Sequence, residues 1–351
     1  MKRIRVLALA SYPVEAASSR YRIVQFIEPL ARRGIDVTFS PFLDAVLFDA
    51  LYKPGRLLRH LPRLAWRTLL RWSAVIRAMR ADVVFVQREA MLFGPPVIEW
   101  LIARVLRRPL VLDLDDATWI AYTSPVYGRL ATRLKWPSKT DLLIKWARTV
   151  TCGSPRIAEY AKGIVIPTVV DTKRFKPGTD KSVCATPVIG WIGTHGTFPY
   201  LERLLPIFER LAREVRFRLL IIGAGRDIPG AETRAWSLER EVEDFQALDI
   251  GVYPLADDDW SAGKAGFKAV QYMATGVPFV MSPVGVCATM GIAGETHLSA
   301  ITDDEWLAAL RRLVTDADLR NRMSVAGRAF AERHYDVEPH ADALADAIRS
   351  T

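Results

Sequence analysis

Asp249-Ile250-Gly251-Val252-Tyr253-Pro254-Leu255, and then Trp260-Ser261-Ala262-Gly263-Lys264-Ala265-Gly266-Phe267-Lys268-Ala269-Val270-Gln271-Tyr272-Met273-Ala274-Thr275-Gly276-Val277-Pro278-Phe279-Val280, is the stretch that decides the fold. Ile250–Tyr253 is short and apolar, as a strand covered on both faces must be. A glycine-containing loop follows, then a helical run over Phe267–Ala274, then Gly276 and a second strand over Val277–Met281. Strand, loop, helix and strand make the repeating unit of a parallel sheet. The spacing puts Gly263, Lys264 and Gly266 at the helix N-terminus. Backbone N–H groups there carry partial positive charge and suit a phosphate. Lys264 adds a full charge. Gln271 lies seven residues past Lys264, about two turns along a helix, and its amide suits ribose hydroxyls. The plain alternative is a packed helix beside a lysine on a solvated loop.

The alternation extends outward in both directions. Upstream, Arg5–Ala10, Asp36–Phe39, Ala81–Gln87, Pro109–Leu114, Thr149–Cys152 and Gly163–Ile166 read as strands, with helical runs at Tyr21–Arg33 and Pro95–Arg107 and on to about Ala147. Pro167 and the polar stretch Lys173–Pro187 read as a connection. The pattern then restarts with strands at Val188–Ile192 and Phe217–Ile222 around a helix at Phe198–Glu214. Three helical runs fill the last fifty residues. These are two successive doubly wound α/β units. Residues 1–168 form the first expected domain and 169–334 the second. In open α/β sheets, ligands sit at the carboxyl ends of the strands, so the loops after strands are the candidates for chemistry.

The segment around Lys264 resembles the donor-site signature of glycosyltransferase family 4. Typical members have Glu, seven residues, Glu, then Ala-Met-Ala-x-Gly-x-Pro-Val. Gln271-Tyr272-Met273-Ala274-Thr275-Gly276-Val277-Pro278 matches the later half. Gln271 stands at the second Glu and Gly263 at the first. The sequence resembles a branch with Lys, Phe-Lys and Gln-Tyr-Met at these positions. The resemblance implies the GT-B fold, two Rossmann-like domains facing a cleft, with residues 335–351 crossing back to the first domain. It implies a retaining transferase that takes a UDP- or GDP-linked sugar and uses no further cofactor and no bound metal. In that mechanism the leaving diphosphate helps to accept the acceptor's proton. Lys264, Gly193, Thr194, Gly263, Gly266 and Arg20 are then expected to face the diphosphate, and Gln271 the ribose.

Other loops complete the expected site. Gly193-Thr194-His195-Gly196-Thr197-Phe198-Pro199 follows a strand and opens a helix; Thr197 can cap that helix and Pro199 fits its first turn. The family usually has a basic residue after this loop, and here none comes before Arg203. A simple tight turn is the alternative. Gly223-Ala224-Gly225 reads as a turn. Ser19 reads as a helix N-cap, which places Arg20 and Arg22 in a first turn, where the helix dipole disfavours cations; an anionic ligand would offset that. Asp113, Asp115 and Asp116 cluster at the end of the fourth strand. They can hold a metal, orient an acceptor or sugar hydroxyl, or pair with arginines. Asp115 and Asp116 are the expected acceptor-side residues. Gln87-Arg88-Glu89 can line the same cleft.

Composition narrows the class. The 351-residue chain is 50% hydrophobic, 25% charged and carries a net charge of +9, which is globular rather than disordered. Cys152, Cys184 and Cys287 are too few and too widely spaced for a zinc site or a disulfide framework. Ala269–Gly294 lacks charge but is broken by glycines and prolines, so it is not a spanning helix. The short apolar run after Met1 reads as a strand rather than a signal peptide. Charge is uneven: residues 1–167 carry 27 Lys+Arg against 13 Asp+Glu, and residues 168–351 carry 21 against 26. Lys53–Arg80 holds eight cations and no acid among leucines and two tryptophans. Such a segment reads as a helix lying on an anionic membrane surface. The alternative is a helix with leucines inward and arginines in solvent. No nucleic-acid module is present. The sequence therefore points to a cytoplasmic, membrane-peripheral glycosyltransferase with a lipid-linked or saccharide acceptor, active in surface polysaccharide or glycolipid synthesis. The alternatives are a non-catalytic relative that binds a nucleotide or a partner transferase, and a fold-sharing sugar epimerase.

Overall fold

The computed structural model describes residues 3–51, 53, 55–121, 128–178 and 186–351. Cys184 and the middle of the expected connection Lys173–Pro187 lie outside the described residues. The chain forms two compact units, Met1–Thr168 with Gly263–Ala265 and Val337–Thr351, and Val169–Ala262 with Gly266–Asp336.

The first unit is built on β1 (Ile4–Ala10), β2 (Ile35–Pro41), β3 (Val83–Gln87), β4 (Leu110–Leu114), β5 (Thr149–Cys152) and β6 (Ile164–Val165). They lie in the order β2-β1-β3-β4-β5-β6, every pair parallel. The second is built on β7 (Val188–Ile192), β8 (Arg218–Ile222), β9 (Glu232–Arg234), β10 (Ile250–Tyr253), β11 (Phe279–Met281) and β12 (Leu298–Ser299). Their order is β12-β11-β10-β7-β8-β9, again all parallel. The central strands β3, β4, β7 and β10 are buried throughout. That is why their sequences are continuous apolar runs rather than alternating ones.

The helix expected at Tyr21–Arg33 is three pieces: Ala17–Arg22, a tight turn at Val24–Phe26, and Ile27–Arg32. Pro29 has no N–H to continue a helix from Gln25, so it sits in the first turn of a new one. Pro206 does the same in the second unit, dividing Phe198–Glu202 from Leu205–Ala212. Val337–Arg349 belongs to the first unit. Its Leu344 and Ile348 are buried, and Arg33 meets Asp342 at 2.6 Å and Glu338 at 3.2 Å.

Among the described residues, Leu61–Ala78 is a helix whose faces are partly inverted. An ordinary surface helix buries its leucines and wets its arginines. Here Arg71 is 3% exposed, while Trp66, Leu69 and Ile76 are 60%, 64% and 61% exposed. Arg67 and Arg71 turn inward because backbone carbonyls at the ends of β1 and β2 accept their N–H groups. The reading with leucines inside and a solvated arginine face therefore holds only in part: Leu64 and Val75 pack inward and Arg63 and Arg77 stay exposed, while Arg67 and Arg71 turn inward. No described helix is long and apolar enough to cross a membrane.

Candidate functional site

In the first unit the parallel register brings the ends of β1, β3 and β4 together, with Ala10 opposite Gln87 and Gln87 opposite Asp113. Arg88, the first residue past β3, takes a left-handed backbone (φ 61°), a strained conformation for a long side chain. Its N–H donates to Asp113 O at 2.8 Å. Its guanidinium then grips Asp115 through Nε (2.5 Å) and Nη2 (2.8 Å), and Asp116 through Nη2 (2.6 Å). Gln87 Nε2 adds a bond to Asp115 at 2.8 Å. Asp113 belongs to a different arginine: Arg22 donates to both its oxygens, at 2.9 and 2.5 Å, and Thr151 donates a third bond at 2.7 Å.

Three adjacent carboxylates thus coexist because Arg22 and Arg88 pair with them and offset two of the three charges. Burial alone would raise the Asp115 carboxyl. The Arg88 charge and hydrogen bonds outweigh it, with help from Arg22, and hold Asp115 below the usual carboxylate range. Burial opposes the charge on Arg88 too, but Asp115 and Asp116 win and raise its pKa far above the ordinary value. Tyr12, beside this network, has its hydroxyl pushed up by burial first and then by Glu89. Asp115 therefore positions Arg88 and Gln87. Asp116, with a side chain 23% exposed, is the more accessible of the two. Among the described residues, no group of three or more His, Cys, Asp or Glu is placed to hold a metal.

Two residues expected near this loop sit differently. Ser19 is not an N-cap. Helix Ala17–Arg22 begins earlier, with Ala16 at the cap and no side-chain cap bond, and Ser19 Oγ donates to Tyr12 O at 2.7 Å. Arg20 and Arg22 consequently occupy the last turn, where the helix dipole favours a cation. No anion is needed to offset them. Arg20 is buried and clamps its own loop through Val14 O (2.9 Å) and Glu15 O (2.7 Å).

Glu89 was legible only as part of a polar triplet after an apolar strand. It is buried and pairs with Lys139 at 2.5 Å. Its Oε1 and Gln87 Oε1 are buried without a hydrogen-bond partner among the described residues. Buried acceptors of this kind carry a free-energy cost unless water or a ligand reaches them. Gln87, Arg88 and Glu89 are therefore central to the arrangement.

The second unit builds its loops from backbone. A Cβ on Gly193 would lie 2.1 Å from the Trp191 ring, and one on Gly223 (φ +84°) would lie 2.1 Å from Gly193 O. The turn after β8 thus presses directly on the loop after β7. Thr197 stands at the N-cap of the following helix, but its side chain makes no cap bond there. Its Oγ1 accepts the Thr194 N–H and donates to Thr194 O, both at 3.1 Å, closing the loop on itself. Pro199 does sit in the first turn. Arg226, from the turn after β8, lies 4.0 Å over the Phe198 ring. A basic residue near this loop therefore comes from the neighbouring strand.

The loop after β10 is anchored by Leu255 N–H to Ser282 Oγ at 3.0 Å and by Ser261 Oγ to Tyr200 OH at 3.1 Å. A short helix, Asp259–Ala262, interrupts it. Gly263 and Lys264 follow that helix instead of opening the next. Gly266, in the left-handed region (φ +68°), is the N-cap of Phe267–Ala274. Gln271 is buried one turn into this helix. Thr275 Oγ1 closes the helix on Gln271 O at 2.8 Å.

Two six-stranded parallel sheets with flanking helices, each in its own Rossmann-like unit, place the chain in the GT-B fold class. Solved structures agree over nearly the whole length. Sucrose-phosphate synthase from Thermosynechococcus elongatus superposes with a TM-score of 0.72 at 16% identity, over 99% of this chain and 98% of that one. Anabaena Alr3699/HepE, in complex with UDP and glucose, superposes with a TM-score of 0.71 at 16% identity, over 99% and 100%. An α-glucosyltransferase in complex with UDP and a 13-mer DNA gives 0.66 at 10%, over 99% and 100%. At such identities the likeness is one of fold. No protein-family model matches. Among curated proteins, the acetyltransferase Pat of Mycolicibacterium smegmatis is 33% identical over 97 residues, 26% of this chain, and the match spans 29% of that relative.

Proposed function

We propose that the protein is a glycosyltransferase that uses a nucleotide-sugar donor, UDP-linked by preference. The observation that carries this is the sequence Gly263-Lys264-Ala265-Gly266, entering a glycine-capped helix with Gln271 one turn in, within a chain of GT-B fold. That HepE and the α-glucosyltransferase were solved with UDP supports the choice of base. Lys264 and the loop Gly193–Thr194 stabilise the diphosphate, and Gln271 binds the ribose. In the retaining reaction, the bond from the sugar's anomeric carbon to the diphosphate oxygen breaks as the acceptor oxygen bonds the same face. The acceptor's proton passes to the departing diphosphate. The protein supplies orientation and charge stabilisation, without a nucleophile of its own and without a metal. Arg88 and Asp116 address the acceptor.

The acceptor in this reading is a lipid-linked saccharide of surface polysaccharide or glycolipid synthesis, met at the inner face of the cell membrane. The partly inverted helix Leu61–Ala78 supports this. Its outward apolar face with two tryptophans, flanked by Arg56, Arg59 and Arg80, has the make-up of an interfacial helix. The test is release of nucleoside diphosphate from a panel of UDP- and GDP-sugars, with and without EDTA. Turnover of one donor, indifferent to EDTA, is expected. Binding without turnover, even with membrane lipid extract, would favour a non-catalytic relative, a reading that Gly263 and Gln271 at the two motif glutamate positions also support.

A further inference from the structure

Leu61–Ala78 turns three arginines toward the end of β2. Arg67 donates through Nε to Phe42 O (2.7 Å) and through Nη2 to Pro41 O (2.6 Å). Arg71 donates through Nη1 to Ser40 O (3.0 Å) and through Nη2 to Ala10 O (2.7 Å). Arg77 Nη2 donates to Ser40 Oγ (2.9 Å). With Ser73 and Leu70 they line an open pocket of about 450 Å³. Arg67 Nη1 and Arg77 Nη1 make no bond among the described residues.

No carboxylate lines this pocket. The contrast within the same unit is sharp, because Arg22 and Arg88 are each matched by aspartates. Burial pushes the Arg71 guanidinium down to about 9, against Glu99, and the neighbouring charges of Arg77 and Arg67 push it the same way. Glu99 and Asp44 reach Arg71 and Arg67 only from outside the lining, so the guanidiniums that face the pocket still repel one another, and an anion seated among them relieves that repulsion. Planar guanidiniums match the oxygens of a phosphate. Leu70, at the pocket wall, is 40% exposed and continues into the outward apolar face.

We propose that this pocket holds the phosphate of an anionic lipid headgroup, seated as the apolar face of the helix enters the bilayer interface. The proposal rests on the membrane-docking reading above, and the experiment separates the two. Flotation of the full chain is measured on phosphatidylglycerol-containing and pure phosphatidylcholine vesicles, and soluble glycerol 1-phosphate is titrated calorimetrically. Arg67→Gln/Arg77→Gln is compared with Arg59→Gln/Arg80→Gln, which removes equal charge outside the pocket. The expected result is one glycerol phosphate site, kept in the outer pair and lost in the pocket pair. Phosphatidylglycerol binding should fall at least tenfold further in the pocket pair. Should the pocket pair melt early, Arg77→Gln alone serves, since among the described residues that guanidinium hydrogen-bonds to Ser40 alone. An equal loss in both pairs means diffuse charge attraction and overturns the pocket while docking stands. Wild-type protein that ignores the vesicles overturns docking and the lipid source together. If glycerol phosphate still binds in that case, the occupant is a soluble phosphate.

Discussion

The two units put different materials at the carboxyl ends of their strands. In the first, the strand ends carry buried ion pairs, with Arg88 on Asp115 and Asp116 and Arg22 on Asp113. In the second, they carry glycines packed backbone against backbone, Gly223 on Gly193, and a glycine cap at Gly266. Side-chain charge fixed by partners selects a particular polar group by its position. Glycine loops let a ligand approach the main chain itself. Under the function proposed above, the first would meet the acceptor and the second the nucleotide diphosphate.

Breaking the first unit's network should produce the largest effect. Arg88→Met leaves Asp115 buried without its partner and should cost about 3–5 kcal/mol of stability. A denaturant titration measures this, and Arg88→Met/Asp115→Leu should recover most of it. A loss under 1 kcal/mol in the single variant would mean that the pair is not a structural one. At the linker before the Gly266 cap, Lys264→Ala should cut turnover by roughly 10²–10³ with a much smaller effect on stability. Turnover at the wild-type rate would remove Lys264 from the diphosphate.

Acid should tell the units apart. His297 in the second unit is buried, stacks on Phe279 and has its pKa lowered by burial to about 4. A depressed folded value means its stabilisation is complete above the unfolded value of about 6.5 and is lost as pH falls toward 4, up to about 3 kcal/mol in all. Asp115 in the first unit is also depressed. Its contribution is present above the unfolded carboxylate value, about 3.9, and disappears below that as the folded value is crossed. Urea unfolding as a function of pH should thus show two limbs. His297→Gln should flatten the limb between pH 6.5 and 4, and a slope there unchanged by this substitution counts against the assignment. The smallest effect should come from Gly223→Ala. Positive φ and a close carbonyl together should cost about 1–3 kcal/mol, with loss of donor affinity exceeding loss of stability if the turn supports the loop after β7.

The sequence displayed the central strands because each had to be apolar on both faces, and Val188–Ile192, Ile250–Tyr253 and Thr149–Cys152 occur as expected. The edge strands Glu232–Arg234 and Leu298–Ser299 were not legible, since a short edge strand buries little and its residues carry no pattern. Helix breaks at Pro29 and Pro206 were present in the letters but masked by apolar periodicity. The loops of the candidate site could be located, because they follow strands. Their partners could not, since Arg88 and Asp115 meet only through the parallel register of β3 and β4. The orientation of Leu61–Ala78 was equally hidden. Periodicity reveals that a helix has two faces. Which face turns inward depended here on carbonyls at Ala10, Ser40, Pro41 and Phe42, which no local pattern announces.

The helix Val337–Arg349 packs on the first unit, yet the whole second unit is encoded between them. A ribosome therefore finishes the second unit's sheet before it makes the piece that covers Val6, Ala8 and Phe85 in the first. Until then Ile23, Phe26 and Leu30 face solvent where Leu344 and Ile348 will lie. The unit begun first is the one completed last. During synthesis its sheet is the sticky surface, and a chaperone attending this chain would be needed there longest.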